Sequence, residues 1–382
     1  MELAEDVTGL IERVERANKN LKKAKSAEER IAMANYIDNL YESIIYTTGI
    51  PLVPTEKAVF GSHKNYHKFN KKVTILDNKT LENFFENRKF HTWLFGSILD
   101  EINPYLEEYE DLGFGNGEII SKGEFFDIFL SFLNELHLGK HFDKFIENVG
   151  IYSFDSEYRT DCKGYIIYNP VNKDTDVFVG DFDYNATSLY TLAHEFGHVY
   201  EFSKFDDDVS IYNKHFYQSF YGESVSKLFE RMMLEYLIKN NILRADAKDE
   251  LIDMEFNNFT FMIYSYIISL LDDEMLKKHR QNIVSPEYIY SLIDEYFDED
   301  VIDLLVENDS LEVQHNYIYA YGDVISMFLK DKVNKYGFDN DMIDELHDRR
   351  AEIFSPDFIE KYDMSPKRYV KAYQKELKLL EK

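Results

Sequence analysis

Two histidines four positions apart, with a glutamate directly after the first, stand out in this chain: His194-Glu-Phe-Gly-His198. On a helix, positions i and i+4 project from one face a turn apart, which suits two nitrogen ligands of a tetrahedral Zn²⁺. Glu195 sits beside the first ligand, within reach of a water on the metal. A metal lowers that water's pKa, and a neighbouring carboxylate takes its proton as it attacks a carbonyl, so the pattern points to metal-assisted hydrolysis. The plain alternative is a surface helix that happens to carry two histidines. Leu189, Leu192 and Ala193 argue against it, because they give the segment the apolar face that a buried metal helix requires.

A third ligand has to come from elsewhere, and Glu223 is the best candidate. Together with Ser226, Lys227 and Glu230 it falls along one face of the next helix at i, i+3, i+4 and i+7. Glu223 on the metal, with Glu230 orienting a ligand histidine from behind, is a physically reasonable arrangement. A solvated acidic face is the alternative. The pairs His63/His67 and His137/His141 share the four-residue spacing but lack an acid beside the first histidine, and Gly139 interrupts the second pair. Those four, like the isolated His215, His279 and His347, read as loop or surface residues. Cys162 has no histidine partner in the pattern and reads as a structural thiol. Gly113-Phe-Gly-Asn-Gly117 lacks the helix signature of a phosphate-binding loop.

Several elements have to position these residues. Residues 1 to about 48 read as two amphipathic helices, the second opened by a capping box at Ser26 to Glu29. Helical periodicity returns from about 79 to 113, with Pro104 as a kink or boundary, and again from about 123 to 149. Near residue 151 the pattern changes. Gly164 to Tyr168 and Asp176 to Gly180 read as short strands joined by a turn over Asn169 to Asp174. The motif helix follows from Asn185, and helices dominate from about 216 onward, with breaks near Asn240, Ser285-Pro286, Asn308 and Ser355-Pro356.

At this point the chain resembles the M3 family of zinc oligopeptidases, the relatives of thimet oligopeptidase and oligopeptidase F. The resemblance rests on Thr191-Leu192 leading into His194-Glu-Phe-Gly-His198, and on Glu223-Ser-Val-Ser-Lys-Leu-Phe-Glu230, with serine three and glutamate seven residues after Glu223. Lys163-Gly-Tyr165, Val179-Gly-Asp-Phe182 and the segment from Asp357 to Pro366 add weaker likeness, and the whole covers roughly residues 150 to 380. The resemblance implies zinc on His194, His198 and Glu223, with Glu195 as the base. It also implies a tyrosine-rich helix opposite the metal, here His315-Asn-Tyr-Ile-Tyr-Ala-Tyr-Gly322. Tyr317 and Tyr321 share a helical face and Tyr319 points away. Tyr321 is expected to donate to the oxyanion, with Tyr317 or His315 assisting. Two departures stand out. Glu201 occupies a position where the family usually has histidine, and the N-terminal half is short for the family.

The fold expected is therefore mainly α, a helical zincin-type metallopeptidase with a small β-element before the HExxH helix. Residues 1–150 would form an N-terminal helical region and residues 151–382 the catalytic region. The strand from Asp176 to Asp181 is expected to pair with an extended peptide. Composition bounds the partners. The 382 residues carry a formal net charge of −28, which repels phosphate backbones and anionic lipid, so neither nucleic acid nor membrane is expected. The single cysteine permits no intrachain disulfide, and the acidic start lacks a signal pattern, both in keeping with a cytoplasmic protein. The function expected is a zinc-dependent peptidase acting on oligopeptides. The alternative is a catalytically silent, metal-containing peptide-binding protein, suggested by Glu201 and the short N-terminal half. Composition does not set the oligomeric state.

Overall fold

The computed structural model describes residues 87–106, 120–152, 164–169, 174–180, 184–204, 223–242, 313–348 and 356–380, with scattered positions before 41 and between 261 and 270. These residues are mostly helical. In chain order the elements are α1 (Arg88–Leu106), α2 (Lys122–Glu135), a 3₁₀ turn (Gly139–His141), α3 (Phe142–Glu147), β1 (Val149–Tyr152), β2 (Gly164–Asn169), β3 (Asp174–Gly180), α4 (Ala186–Ser203), α5 (Glu223–Lys239), α6 (Val313–Tyr336), α7 (Asn340–Asp348), α8 (Pro356–Lys361) and α9 (Pro366–Leu380). Most of the two expected N-terminal helices, and the segments holding His63, His67, Gly113 to Gly117, Cys162, His215 and His279, lie outside the described residues. Among the described residues no helix is long and apolar enough to cross a membrane.

Two compact units divide the chain. One gathers residues 1–81, 117–218 and 225–244, and the other gathers 82–116, 219–224 and 245–382. β1, at the end of the supposed N-terminal region, pairs in parallel with β3, Val149 opposite Val177. Phe129 of α2 also packs edge-on against Phe196 of α4 at 6.0 Å.

In the first unit the core is aromatic. Phe125, Phe129, Phe132 and Leu133 form the buried stripe of α2 at helical spacing. Phe196 lies between Phe145 at 5.1 Å and Phe229 at 5.3 Å, edge to face in both cases. The back of the motif helix is thereby pinned by contacts that typically cost about 3–5 kcal/mol when a phenylalanine is cut to alanine. The stretch expected to stay helical from 123 to 149 is broken at its middle. His137 takes a left-handed backbone (φ 59), and the Leu138 amide donates to the Leu133 carbonyl at 2.7 Å, which closes α2.

The strand order is β1-β3-β2, with β2 antiparallel to β3. β3 is therefore paired on both sides, and its backbone is not the free edge a peptide would need. That corrects the expectation for Asp176 to Asp181; among the described residues β1 and β2 are the edges. Val177 and Val179 are buried on alternate positions of β3, and α4 packs against both β2 and β3.

In the second unit, α9 packs against α1 and α6. Leu94, Phe95, Ile98 and Ile102 make the buried stripe of α1, and Tyr369, Val370 and Tyr373 that of α9. α1 runs through Pro104 and ends two residues later, so the proline sits in the last turn rather than at a mid-helix kink. The Tyr369 hydroxyl donates to the buried Asp323 carboxylate, tying α9 to α6. Glu345 of α7 accepts from Tyr362 at 2.6 Å and from Lys361 at 3.1 Å.

Candidate metal centre

Helix α4 starts where the Asn185 side chain accepts a hydrogen bond from the Ser188 amide at 2.8 Å, a capping arrangement that satisfies one of the free amides of the first turn. From there the helix carries His194, Glu195 and His198 in regular register. Helix α5 carries Glu223 at its first position and Glu230 two turns on. Gly197 explains how the two helices come so close. A Cβ there would stand 2.6 Å from the Ser226 Cα and 3.0 Å from the Ser226 nitrogen. Only glycine permits that crossing, and it sets Glu223 and Glu230 on either side of the contact point.

The result is a cluster. One ligand atom from each of His194, His198 and Glu223 lies within 4.8 Å of the others. The two Nε2 atoms face each other at 3.0 Å, with the rings nearly perpendicular at 81°. Two nitrogens about 2.05 Å from a tetrahedral zinc stand roughly 3.3 Å apart, so this approach has the size a shared ion needs. His194 presents its Nδ1–H to Glu230 Oε1 at 2.6 Å. A carboxylate acceptor there keeps the proton on Nδ1 and leaves the Nε2 lone pair for a metal. Two imidazoles and a carboxylate, largely dehydrated, are the donor set that borderline-soft Zn²⁺ prefers. The residues present therefore fit the ion.

Burial sharpens these interactions. His198 and Glu223 are buried, and Glu195 is only 2% exposed. Burial pushes the Glu230 carboxyl up, but the adjoining His194 ring, Lys227 and Arg231 outweigh it and hold the carboxyl at about 2. Lys227 and Arg231 are themselves buried on α5. Two like charges buried on one helix are tolerated when a carboxylate such as Glu230 sits beside them. Glu201, at the position of the expected family histidine, is fully buried on α4.

The expected site residues fare differently. His194, His198 and Glu223 come together, and Glu230 holds the first of them from behind. Tyr321 is fully buried on α6, its hydroxyl bonded to His91 Nδ1. His315 and Tyr317 fall on α6, but their side chains lie outside the described residues. Gly322 is a second close approach. A Cβ on it would meet the Glu223 Cβ at 2.5 Å. His91 is a residue that the sequence patterns passed over. An isolated histidine in an amphipathic helix, with its partner 230 positions away, offers no local signal.

Comparison with known proteins adds no name to this geometry: no family model matches the chain, and no curated protein and no solved structure matches it.

Proposed function

We propose that the chain is a zinc-dependent metallopeptidase that hydrolyses peptide bonds of oligopeptides, with His194, His198 and Glu223 as zinc ligands and Glu195 as general base. The convergence of these three donors on one point, with Glu230 fixing the ring of His194, carries the reading. When bound, zinc supplies a Lewis acid that polarises a carbonyl and lowers the pKa of water toward neutrality. Glu195 accepts a proton from water as the new carbon–oxygen bond forms. It then delivers that proton to the amide nitrogen as the carbon–nitrogen bond breaks, leaving a carboxylic acid and an amine, which exchange the remaining proton to become carboxylate and ammonium. Tyr321 donates its O–H to the oxygen on which negative charge develops. Glu230 keeps the His194 ring in one tautomer and one orientation.

The resemblance to the M3 zinc oligopeptidases and a zincin-type fold belong to this proposal. So does a cytosolic setting, which the acidic charge and the single cysteine support. An extended substrate is expected to lie along an edge of the sheet that the described residues form, β1 or β2.

Glu195→Gln tests the mechanism. The amide keeps the shape and leaves the ligands in place, so zinc content by elemental analysis is expected to stay at the wild-type value. Turnover of a peptide mixture, read by mass spectrometry, is expected to fall by a factor of about 10²–10⁴. Full activity in that variant would contradict the assignment of the base.

A further inference from the structure

We infer that Gly322 is a positioning residue for Glu223: by carrying no side chain it lets helix α6 serve as the wall against which the backbone of that glutamate is set. The inference rests on the reading of Glu223 as a zinc ligand and extends it to a residue that itself offers the metal nothing.

Gly322 lies in the interior of α6 (Val313–Tyr336). A glycine there weakens a helix relative to alanine, because it has more backbone freedom to lose on folding. That freedom is not used. Among the described glycines the left-handed φ belongs to Gly337, not to Gly322. Space is the reason for the residue. A Cβ on it would stand 2.5 Å from the Glu223 Cβ, 3.0 Å from its carbonyl carbon and 3.3 Å from its Cα. All three atoms are in the main chain or directly attached to it, so no change of rotamer removes the overlap. Both residues fall in the second unit.

One side of this contact is better held than the other. Ala320, Tyr321, Val324 and Ile325 bury α6 on either side of the glycine, and Asp323 accepts the Tyr369 hydroxyl from α9. Glu223 opens α5, so no preceding helical turn holds its amide. The side that yields is Glu223. Carbon atoms pack at about 3.5–4.0 Å, so a Cβ at position 322 displaces the Glu223 backbone by roughly 1 Å. Metal–ligand distances tolerate about 0.2 Å. A carboxylate carried that far leaves the point where it converges with His194 and His198.

The experiment compares the full wild-type chain with Gly322→Ala, Glu223→Ala and the double variant. Zinc affinity is measured by competition with a coloured chelator, and the urea midpoint is measured without metal. Gly322→Ala is expected to lower zinc affinity about 10–100-fold. Glu223→Ala lowers it at least as far. Added to Glu223→Ala, Gly322→Ala costs no further affinity, because the carboxylate it would misplace is gone. It shifts the urea midpoint by the same amount in both backgrounds, because alanine at position 223 keeps the Cβ that is struck. A merely structural glycine would instead lower affinity equally in both backgrounds.

Each failure points to a different cause. Wild-type affinity in Gly322→Ala, with Glu223→Ala impaired, overturns this inference and leaves the proposed ligand set standing. An equal further loss of affinity in the Glu223→Ala background overturns it as well. Unchanged affinity in Glu223→Ala removes Glu223 from the ligand set and this inference with it. No zinc bound by the wild-type chain removes the proposed metal centre itself. If Gly322→Ala fails to fold, adding Glu223→Gly takes away the Cβ in its path. Recovery of the fold is then expected, and a double variant that stays unfolded overturns the inference.

Discussion

At the scale of single residues, the proposed centre depends on a carboxylate outside the proposed ligand set. Glu230 bonds His194 at 2.6 Å, and its ionised form is favoured by Lys227 and Arg231 as well as by the ring. Glu230→Gln removes the charge and keeps a similar shape. Zinc affinity is expected to fall about 10–100-fold, measured by competition with a coloured chelator. Unchanged affinity would mean that the bond to His194 contributes nothing to ligation. The approach of His194 and His198 was legible in the sequence, because an i, i+4 spacing is a local property of one helix. Glu223 and Glu230 were legible at one remove, from their shared helical face. His91 was not, since nothing in the helix around it changes when its partner is brought 230 positions along the chain.

Elements set the precision of the site. Helices α4 and α5 cross at Gly197 with no room for a side chain, 2.6 Å from the Ser226 Cα to the place a Cβ would take. Gly197→Ala must therefore push backbone, not a flexible tip, and is expected to destabilise the fold by about 1–3 kcal/mol in urea unfolding. On the proposed reading it also weakens zinc binding, because the proposed ligands sit on both helices. A variant with wild-type stability would show that the crossing can relax at no cost. The tie from α7 to α8 makes a pH-dependent prediction. The hydrogen bond from Tyr362 holds the Glu345 carboxyl below its ordinary 4.5, and Lys361 and Lys332 act in the same direction, against burial. A depressed carboxyl contributes stability that is present above 4.5 and is lost as pH falls through its folded value. The group is 39% exposed, so solvent screening limits the effect to at most about 1 kcal/mol. Comparing wild type with Glu345→Gln by urea midpoint, the difference should be present at neutral pH and shrink under acid. A difference that grows under acid would contradict the assignment. At this scale the motif helix and the two strands before it were legible from periodicity. The break at His137 and the parallel pairing of β1 were not. The first depends on a left-handed turn with no glycine at that position, and the second on a partner strand beyond a long connection.

For the whole molecule, the proposal makes metal binding and stability one equilibrium. An ion that binds the native chain at about a hundred times its Kd stabilises it by about 2.7 kcal/mol. Chelation is therefore expected to lower the thermal midpoint, followed by circular dichroism, and added zinc to restore it. A midpoint indifferent to chelator would mean that no metal is part of the fold. The division of the chain into two interleaved units was invisible in the sequence, because contacts between distant segments leave no periodicity to read. The most direct measurement is hydrolysis itself. The zinc-loaded chain is incubated with a mixed peptide library, with and without chelator, and the products are read by mass spectrometry. The account predicts new peptide termini that vanish with chelator and return with zinc. A library left intact by the zinc-loaded chain, or cut equally well in chelator, would contradict it.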